Sequence, residues 1–168
     1  MRVLVSVDSR HGSTEEIASA IAAELLAAGL EVDAVAPGDV TTLDPYGGVV
    51  LGSAIYMGSW MPAVKQFIER HKEALRARPV WLFSSGPTSD QAKPSDDPAG
   101  EKLLPEINAR EHRVFSGRLD RSQLSMPEKL VMKAVRAPEG DFRDWPAIRD
   151  WAKAIAQSLK QSQVAGAR

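Results

Sequence analysis

Residues 3–17 read VLVSVDSRHGSTEEI, an apolar run that ends at an aspartate and leads through a polar turn into a helical pattern. The β-branched run from Val3 to Val7 predicts a short strand that is buried on both faces. From Thr14 to Ala28 apolar side chains recur at helical spacing, and Gly29 closes that helix. A buried strand followed at once by an amphipathic helix is typical of a parallel α/β sheet.

The same alternation of strand and helix continues along the chain. Further strands are predicted at Leu30 to Val35, Val49 to Leu51 (ending at Gly52-Ser53), Pro79 to Phe83 and Arg113 to Leu119. Further helices are predicted at Pro62 to Arg76, Glu101 to Ala109, Met126 to Arg136 and Asp144 to Gln161. Residues 88–100 are rich in Ser, Asp, Pro and Lys, which predicts an exposed loop. We therefore expect a single domain over residues 1–162, with a frayed tail at 163–168.

Composition excludes several classes of protein. The 168 residues include 21 Lys and Arg, 22 Asp and Glu, three His and no Cys. Disulfides, thiolate metal sites and thiol redox chemistry are therefore excluded, and the histidines share no metal-ligand spacing. The net charge of −1 argues against a dedicated nucleic-acid binder. With no signal-peptide pattern and no apolar run of about 20 residues, we expect the cytoplasm.

In a parallel α/β sheet, ligands bind beyond the carboxyl ends of the strands, which singles out three loops. The first is DSRHGST at residues 8–14, where hydroxyls surround Gly12 at a strand-to-helix turn. Free backbone N–H groups and the helix dipole favour a bound anion there. The alternative is a plain turn with a capping box, in which Ser13 is the N-cap and Glu16 lies three residues on. The glycine and lysine signatures of dinucleotide and triphosphate loops are absent.

The second and third loops are GSAIYMGSWM at residues 52–61 and SSGP at residues 84–87. Tyr56, Met57 and Trp60 predict either a surface for a flat apolar ligand or a lid that packs on Phe67 and the core. Gly58 permits a positive φ, so a neighbouring peptide group could turn toward the edge of a ring. The third loop supplies backbone donors and small side chains, and by itself it is an ordinary turn.

Together these residues resemble the flavodoxin-like family, a three-layer α/β sandwich whose five-stranded parallel sheet has the order 2-1-3-4-5. Ser9, Gly12 and Thr14 match the family's phosphate loop. His11 stands where a central Thr is usual, so a backbone N–H would replace one hydroxyl contact. The stretch from Ser9 to Ala18 is similar to the bacterial flavodoxin-type protoporphyrinogen dehydrogenases, which pass electrons to a quinone. Further similarity lies in Gly52 to Trp60, in Phe67-Ile68 with His71, and in Gly117-Arg118-Leu119 at the end of the fifth predicted strand.

The resemblance implies FMN as cofactor and oxidation of protoporphyrinogen IX or a similar donor, with a quinone as acceptor. It implies FMN contacts from Ser9, Arg10, His11, Gly12, Ser13, Thr14, Ser53, Ala54, Ile55, Tyr56, Met57, Gly58, Trp60, Ser84, Ser85, Gly86 and Pro87. Because the flavin carries the redox chemistry, no catalytic side chain and no metal are expected. Two alternatives remain: a flavodoxin that shuttles electrons between partner proteins, and a non-catalytic FMN-binding member of the family.

The predicted helix at residues 126–136 combines an apolar side with basic residues. Leu130, Val131, Ala134 and Val135 form the apolar side, and Lys129, Lys133 and Arg136 carry positive charge. Such a helix can rest on the inner face of a membrane near a quinone pool. The other interpretation is a solvated helix that packs on the edge of the sheet.

Overall fold

The computed structural model describes residues 1–86 and 94–166. This part of the chain forms eight strands and five helices. They are β1 (Arg2–Asp8), α1 (Ser13–Ala27), β2 (Glu31–Ala34), β3 (Gly48–Tyr56), β4 (Ser59–Trp60), α2 (Pro62–Arg76), β5 (Val80–Ser85), α3 (Pro98–Glu106), β6 (Glu111–Phe115), β7 (Arg118–Leu119), α4 (Met126–Ala134), β8 (Gly140–Asp141) and α5 (Trp145–Gly166). Short 3₁₀ turns lie at Pro94–Asp96 and Arg121–Gln123.

Five parallel strands form the main sheet in the order β2-β1-β3-β5-β6. The short strand β4 pairs with β3 in antiparallel fashion, outside this path. Since β4 was not predicted, the five parallel strands correspond to the predicted strands one to five, and the order 2-1-3-4-5 is confirmed. The register places Asp8 of β1 beside Ser53 of β3, and Ala54 beside Ser85 of β5. The carboxyl ends of these three strands therefore meet at one edge of the sheet.

Two apolar clusters cover the two faces of the sheet. On one face Ile17 and Ile21 of α1 pack with Trp151 of α5. On the other face Phe67 and Ile68 of α2 are buried with side chains of β3 and β5. Burial of this apolar area on both faces holds the layers together, as expected for strands that read as nearly continuous hydrophobic runs.

Two predicted strand ends are wrong by three residues or more. Strand β3 does not end at Gly52-Ser53 but continues to Tyr56 and turns back into β4, so the predicted loop at 52–61 is a hairpin. The fifth parallel strand ends at Phe115 rather than Leu119. Arg118–Leu119 instead forms β7, which pairs antiparallel with β8 in a separate two-stranded sheet. We call residues 116–144 the cap segment.

Two predicted irregular stretches are ordered. Residues 94–100 were expected in an exposed loop, but they form a 3₁₀ turn and the start of α3, and Asp97 is buried. Residues 163–166, expected in a frayed tail, belong to α5. The remainder of the loop at 88–93, residue Pro87 and residues 167–168 lie outside the described residues. Within residues 1–86 and 94–166, every helix is too short or too polar to cross a membrane.

Candidate cofactor site

The turn between β1 and α1 leaves the start of the helix open to an anion. Gly12 is the N-cap, with φ +79°, and no side chain caps the helix. Of the two interpretations of this turn, the one with a capping box from Ser13 and Glu16 is therefore wrong. A left-handed N-cap suits glycine, which carries no Cβ. The backbone N–H groups of the first turn and the positive end of the helix dipole consequently face the turn, where an anion is favoured.

Three hydroxyls tie this turn to its surroundings. The Ser9 hydroxyl accepts the Gly12 N–H at 3.1 Å. The Thr14 hydroxyl lies 2.8 Å from the Ser85 hydroxyl of β5, and the Ser13 hydroxyl accepts the Arg118 N–H of the cap segment at 3.2 Å. The turn is thus fastened to β5 and to β7, and its hydroxyl hydrogens remain suited to donation toward phosphate oxygens.

The hairpin of β3 and β4 forms the second wall of the site. Its two-residue turn consists of Met57 and Gly58, whose φ values of 50° and 72° match the turn type that suits the twist of a hairpin. Ala54, Ile55 and Tyr56 precede the turn and line a cavity at the carboxyl edge of the sheet. The Met57 side chain points into solvent and is 84% exposed.

The cavity has a volume of about 160 Å³ and lies between the turn, the hairpin, β5 and the cap segment. The sequence-predicted residues that line it are Ser9, Arg10, His11, Ser13, Thr14, Ala54, Ile55, Tyr56, Ser85 and Gly86. The cap segment contributes Gly117, Arg118, Leu119, Leu124, Glu128 and Met132. Of these cap residues, only Gly117 to Leu119 were singled out from the sequence, as part of a strand.

Other predicted residues lie behind the cavity wall rather than on it. Trp60 is buried in the core against α2, and its indole N–H donates to Asp97 at 2.6 Å. Ser84 is fully buried and contacts His112. The Ser53 hydroxyl accepts the Met61 N–H and donates to the Ala54 carbonyl, both at 2.8 Å, which closes the base of the hairpin. Ser84 and Ser85 belong to β5, so the predicted third loop starts only after Ser85.

Arg10 joins three walls of the site. Its Nε donates to Oε1 of Glu128 at 2.5 Å, and its guanidinium carbon lies 4.3 Å from the centre of the Tyr56 ring. The His11 Nε2 atom is 3.2 Å from the same Glu128 oxygen. Turn, hairpin and cap segment are therefore connected through one guanidinium group, by an ion pair and a cation–π contact.

Glu128 is the charged group that sequence reasoning missed. Hydrogen bonds from the Ser125 hydroxyl and backbone N–H, and from Arg10 and His11, lower the pKa of Glu128 to about 2 against the opposing effect of burial. Ser125 and Glu128 form a capping box at the start of α4. That local pattern could have been found in the sequence, but the contact with residues 10 and 11 could not.

The donor set fits the phosphate and ring of a flavin mononucleotide. Uncapped N–H groups at the start of α1, with three hydroxyls around them, suit a phosphate. The adjoining cavity, with Ile55, Tyr56 and Met132 in its wall, suits the apolar part of a ring. Fold and site together define the flavodoxin-like class of flavoproteins.

Comparison with known proteins identifies the family. The flavodoxin domain model matches residues 4–145, and the chain therefore belongs to the flavodoxin domain family. Its fold and family imply FMN binding and redox chemistry.

Individual proteins agree with this assignment. The chain is 24% identical over 172 residues to the protoporphyrinogen IX dehydrogenase [quinone] of Escherichia coli K12, covering 93% of this chain and 95% of that protein. A flavodoxin from the domain Archaea superposes with a TM-score of 0.64 at 15% identity, covering 95% of this chain and 99% of the other. The two-electron reduced flavodoxin of Megasphaera elsdenii has a TM-score of 0.63 at 18% identity, covering 92% of this chain and 98% of the other. These two structures share the fold.

Proposed function

We propose that this protein is an FMN-dependent oxidoreductase that oxidises protoporphyrinogen IX or a similar donor and passes the electrons to a quinone. The observation that carries the proposal is the uncapped, glycine-led start of α1 beside a cavity at the carboxyl edge of the sheet. The similarity to the E. coli dehydrogenase over 93% of the chain supports this choice of substrates.

In this proposal the residues of the turn, Ser9 to Thr14, hold the phosphate of FMN. Ala54, Ile55 and Tyr56 of the hairpin, Ser85 of β5 and the following Gly86 hold the ring. The bound flavin supplies a ring that accepts and releases electrons. The chain itself binds and orients that ring, and its cap segment limits the access of water to the ring. No acid or base of the protein is assigned to a proton transfer.

The second candidate is a flavodoxin that carries electrons between proteins. The exposed Met57 side chain at the hairpin turn, beside the cavity, favours it because an apolar tip next to a cofactor can dock a redox partner briefly. A net charge of −1 is weak for electrostatic docking. Quinone turnover distinguishes the two: a shuttle would hold FMN and exchange electrons with a flavoprotein reductase, but would not turn over protoporphyrinogen with a quinone.

A spectrum and a turnover assay test the proposal. We expect protein that is incubated with FMN and desalted to keep the visible flavin bands and to reduce a quinone in the presence of protoporphyrinogen. Thr14→Val should weaken FMN binding about tenfold, because it removes a buried hydroxyl beside the anion-binding turn. Thr41→Val, at an exposed position, is the matched control. A colourless wild-type protein would contradict FMN binding. Bound flavin without quinone turnover would contradict the proposed oxidoreductase activity.

A membrane-facing role of α4 is part of the proposal. The apolar side of this helix does not pack on the edge of the sheet, since Leu130 is 66% exposed and Val135, the C-cap residue, is 64% exposed. Lys129, Lys133 and Arg136 lie in the same exposed stretch. An exposed apolar side next to positive charges suits the surface of an anionic membrane, where a quinone would be near.

Vesicle sedimentation tests this role. We expect the protein to sediment with phosphatidylglycerol vesicles and to remain in solution with phosphatidylcholine vesicles. The double variant Leu130→Ser and Val135→Ser should lose this binding. Val164→Ser is the matched control, because Val164 is 62% exposed on α5. Equal sedimentation of all three proteins would remove α4 from the proposal.

A further inference from the structure

Behind the hairpin lies a buried cluster of charged and polar side chains. The His112 Nε2 atom is 3.4 Å from Oδ2 of Asp97 and 3.0 Å from the Ser84 hydroxyl. Its Nδ1 atom is 2.7 Å from Oε1 of Glu101. The same Oδ2 atom of Asp97 accepts the indole N–H of Trp60 at 2.6 Å. The cluster therefore connects β5, β6 and the start of α3 to the base of the hairpin.

The sequence DPAGE at residues 97–101 builds this arrangement. Asp97 is the N-cap of α3 and accepts the Gly100 N–H at 3.1 Å, and Pro98 occupies the first turn. Glu101 follows one residue after Gly100 and reaches His112. A Cβ atom at Gly100 would overlap Oδ2 of Asp97 and lie 2.5 Å from Cε1 of His112. Because Gly100 has no side chain, the first turn of α3 can pack directly against the His112 ring.

The order Ser84, His112, Glu101 resembles a hydrolytic relay, but access excludes that role. Ser84 is fully buried, and both His112 and Asp97 are less than 5% exposed. Ser84 also lies on the face of the sheet opposite to Ser85, which lines the cavity, because side chains alternate along a strand. A substrate carbonyl cannot reach the Ser84 hydroxyl. The role of the cluster is therefore structural, through the elements that pack against it.

The neighbour that matters is the hairpin. Trp60 pairs with Ile55 across the hairpin, and Ser59 pairs with Tyr56. Ile55 and Tyr56 form one wall of the cavity. The Trp60 side chain instead lies in the core, where its indole N–H donates to Asp97. From behind, the cavity wall is thus held by a charge-assisted hydrogen bond between Trp60 and Asp97, in addition to the Ser53–Met61 hydrogen bond at the base of the hairpin.

We propose that Asp97 and Trp60 are positioning residues: the buried Asp97–His112 pair holds the Trp60 indole, and through it sets the position of the hairpin that faces the flavin. This inference rests on the proposed FMN site. It assigns Trp60 an indirect role in place of the direct cofactor contact that the resemblance implied. The binding affinity and the reduction potential of the flavin then depend on residues that do not touch it.

The test compares two buried tryptophans that each donate to a carboxylate, which is buried at Asp97 and 39% exposed at Glu111. Trp60 and Trp151 are both buried, and each donates its indole N–H to a carboxylate, Trp60 to Asp97 and Trp151 to Glu111 at 2.9 Å. Trp151 lies on the other face of the sheet. Trp60→Phe and Trp151→Phe therefore remove the same kind of hydrogen bond and a similar volume, but only the first is connected to the hairpin.

The first readout needs no cofactor. In the protein before FMN is added, Trp60→Phe should speed amide hydrogen exchange of residues 55–60 about tenfold relative to Trp151→Phe, as expected for loss of a hydrogen bond to a charged group. With FMN, Trp60→Phe should raise the Kd about tenfold and shift the reduction potential, while Trp151→Phe leaves both at the wild-type value. Equal exchange of residues 55–60 in the two variants would overturn the inference.

A second variant covers the case in which Trp60→Phe does not fold. Asp97→Asn keeps one acceptor oxygen and removes the charge, and it should open the hairpin as Trp60→Phe does. Where both fold, the double variant should show the effect of one single variant, because both changes break the same link. Additive effects would overturn the inference.

The exchange and binding measurements also separate this inference from the proposed function. If wild-type protein binds no FMN but Trp60→Phe still speeds the exchange of residues 55–60, the proposed function fails and the role of Trp60 and Asp97 in holding the hairpin stands. If FMN binds normally and exchange of residues 55–60 is the same in all variants, that role fails and the proposed function stands.

Discussion

Two carboxylates, Asp97 and Glu128, have their pKa values lowered to about 2, but in very different surroundings. Burial would raise the pKa of Asp97, and hydrogen bonds from His112, Trp60, Ser84 and Gly100 overcome it. At Glu128 the main cause is the hydrogen bonding of Ser125, at the start of an exposed helix. Similar pKa values therefore belong to a carboxylate inside the core, Asp97, and to one beneath the cap segment at the surface, Glu128. Their loss should have unequal consequences for the fold.

Asp97→Ala is expected to have the largest effect. It leaves the buried His112 ring with one remaining carboxylate and leaves the Trp60 indole N–H without its acceptor. Breaking a buried ion pair from one side costs about 3–5 kcal/mol of unfolding free energy. Urea unfolding followed by circular dichroism measures it. Asp150→Ala, where the exposed carboxylate pairs with Lys153, should stay within about 0.5 kcal/mol of the wild type, and an equal loss in both variants would refute the distinction.

Gly100→Ala should have the next largest effect. In an ordinary helix this change stabilises by about 1 kcal/mol through propensity. Here the new Cβ would lie within 2.6 Å of both Asp97 and His112, so the cluster must move or the helix start must shift. We expect a loss of about 1–3 kcal/mol, as for other overpacked sites. A gain in the urea midpoint would show that the start of α3 is free to move away from His112.

Glu128→Gln should act locally rather than globally. The variant weakens the contacts with Arg10 and His11 and removes the charge of the capping box. We expect a cost of about 1 kcal/mol, confined to the cap segment. Limited proteolysis should cut residues 116–144 several-fold faster, while the urea midpoint stays close to the wild-type value. Lys129→Gln, one residue away on the same helix, is the control and should digest at the wild-type rate.

How far the sequence alone predicts this molecule depends on whether the contacts are local. The runs from Val3 to Val7 and from Val49 to Leu51 are mostly apolar and bounded by turn residues, so the strands could be predicted. Their order followed only from the resemblance to the flavodoxin-like family. The residues of the turn before α1 left two interpretations open, a capped turn and an anion site. The hairpin could not be predicted, because Gly52-Ser53 looks like the end of a strand, yet the strand continues.

The two charged clusters were beyond local patterns. Asp97 stands in a polar, proline-rich stretch that is typical of an exposed loop, but its side chain is buried against His112, 15 positions along the chain. Glu128 meets His11 across 117 positions. Which distant side chain satisfies a buried charge is decided by packing of the layers, and no periodicity or spacing in the sequence records it.

The pH dependence of stability is the mildest test of the comparison. The pKa values of Asp97 and Glu128 are lowered, so their contributions are complete above their unfolded values near 4 and are lost as the pH falls toward 2. Burial lowers the pKa of His112, but hydrogen bonds with Asp97 and Glu101 outweigh it, and the net shift is upward. Its contribution is therefore complete below about pH 6.5 and is lost as the pH rises through the raised pKa.

Unfolding free energies measured from pH 3 to pH 9 should thus fall on both sides of a maximum between about pH 5 and 6.5. His112→Gln should reduce the fall of the unfolding free energy on the alkaline side, but only between the unfolded and folded pKa values of the histidine. Glu128→Gln should change the unfolding free energy on the acid side alone. Because His11 also contacts Glu128, this comparison is made in a His11→Gln background. A change of the alkaline side by Glu128→Gln in that background would mean that the two carboxylates are coupled through the hairpin by the Arg10 contact with Tyr56. If the acid and alkaline sides change independently, the buried cluster and the cap segment contribute separately to the stability of the fold.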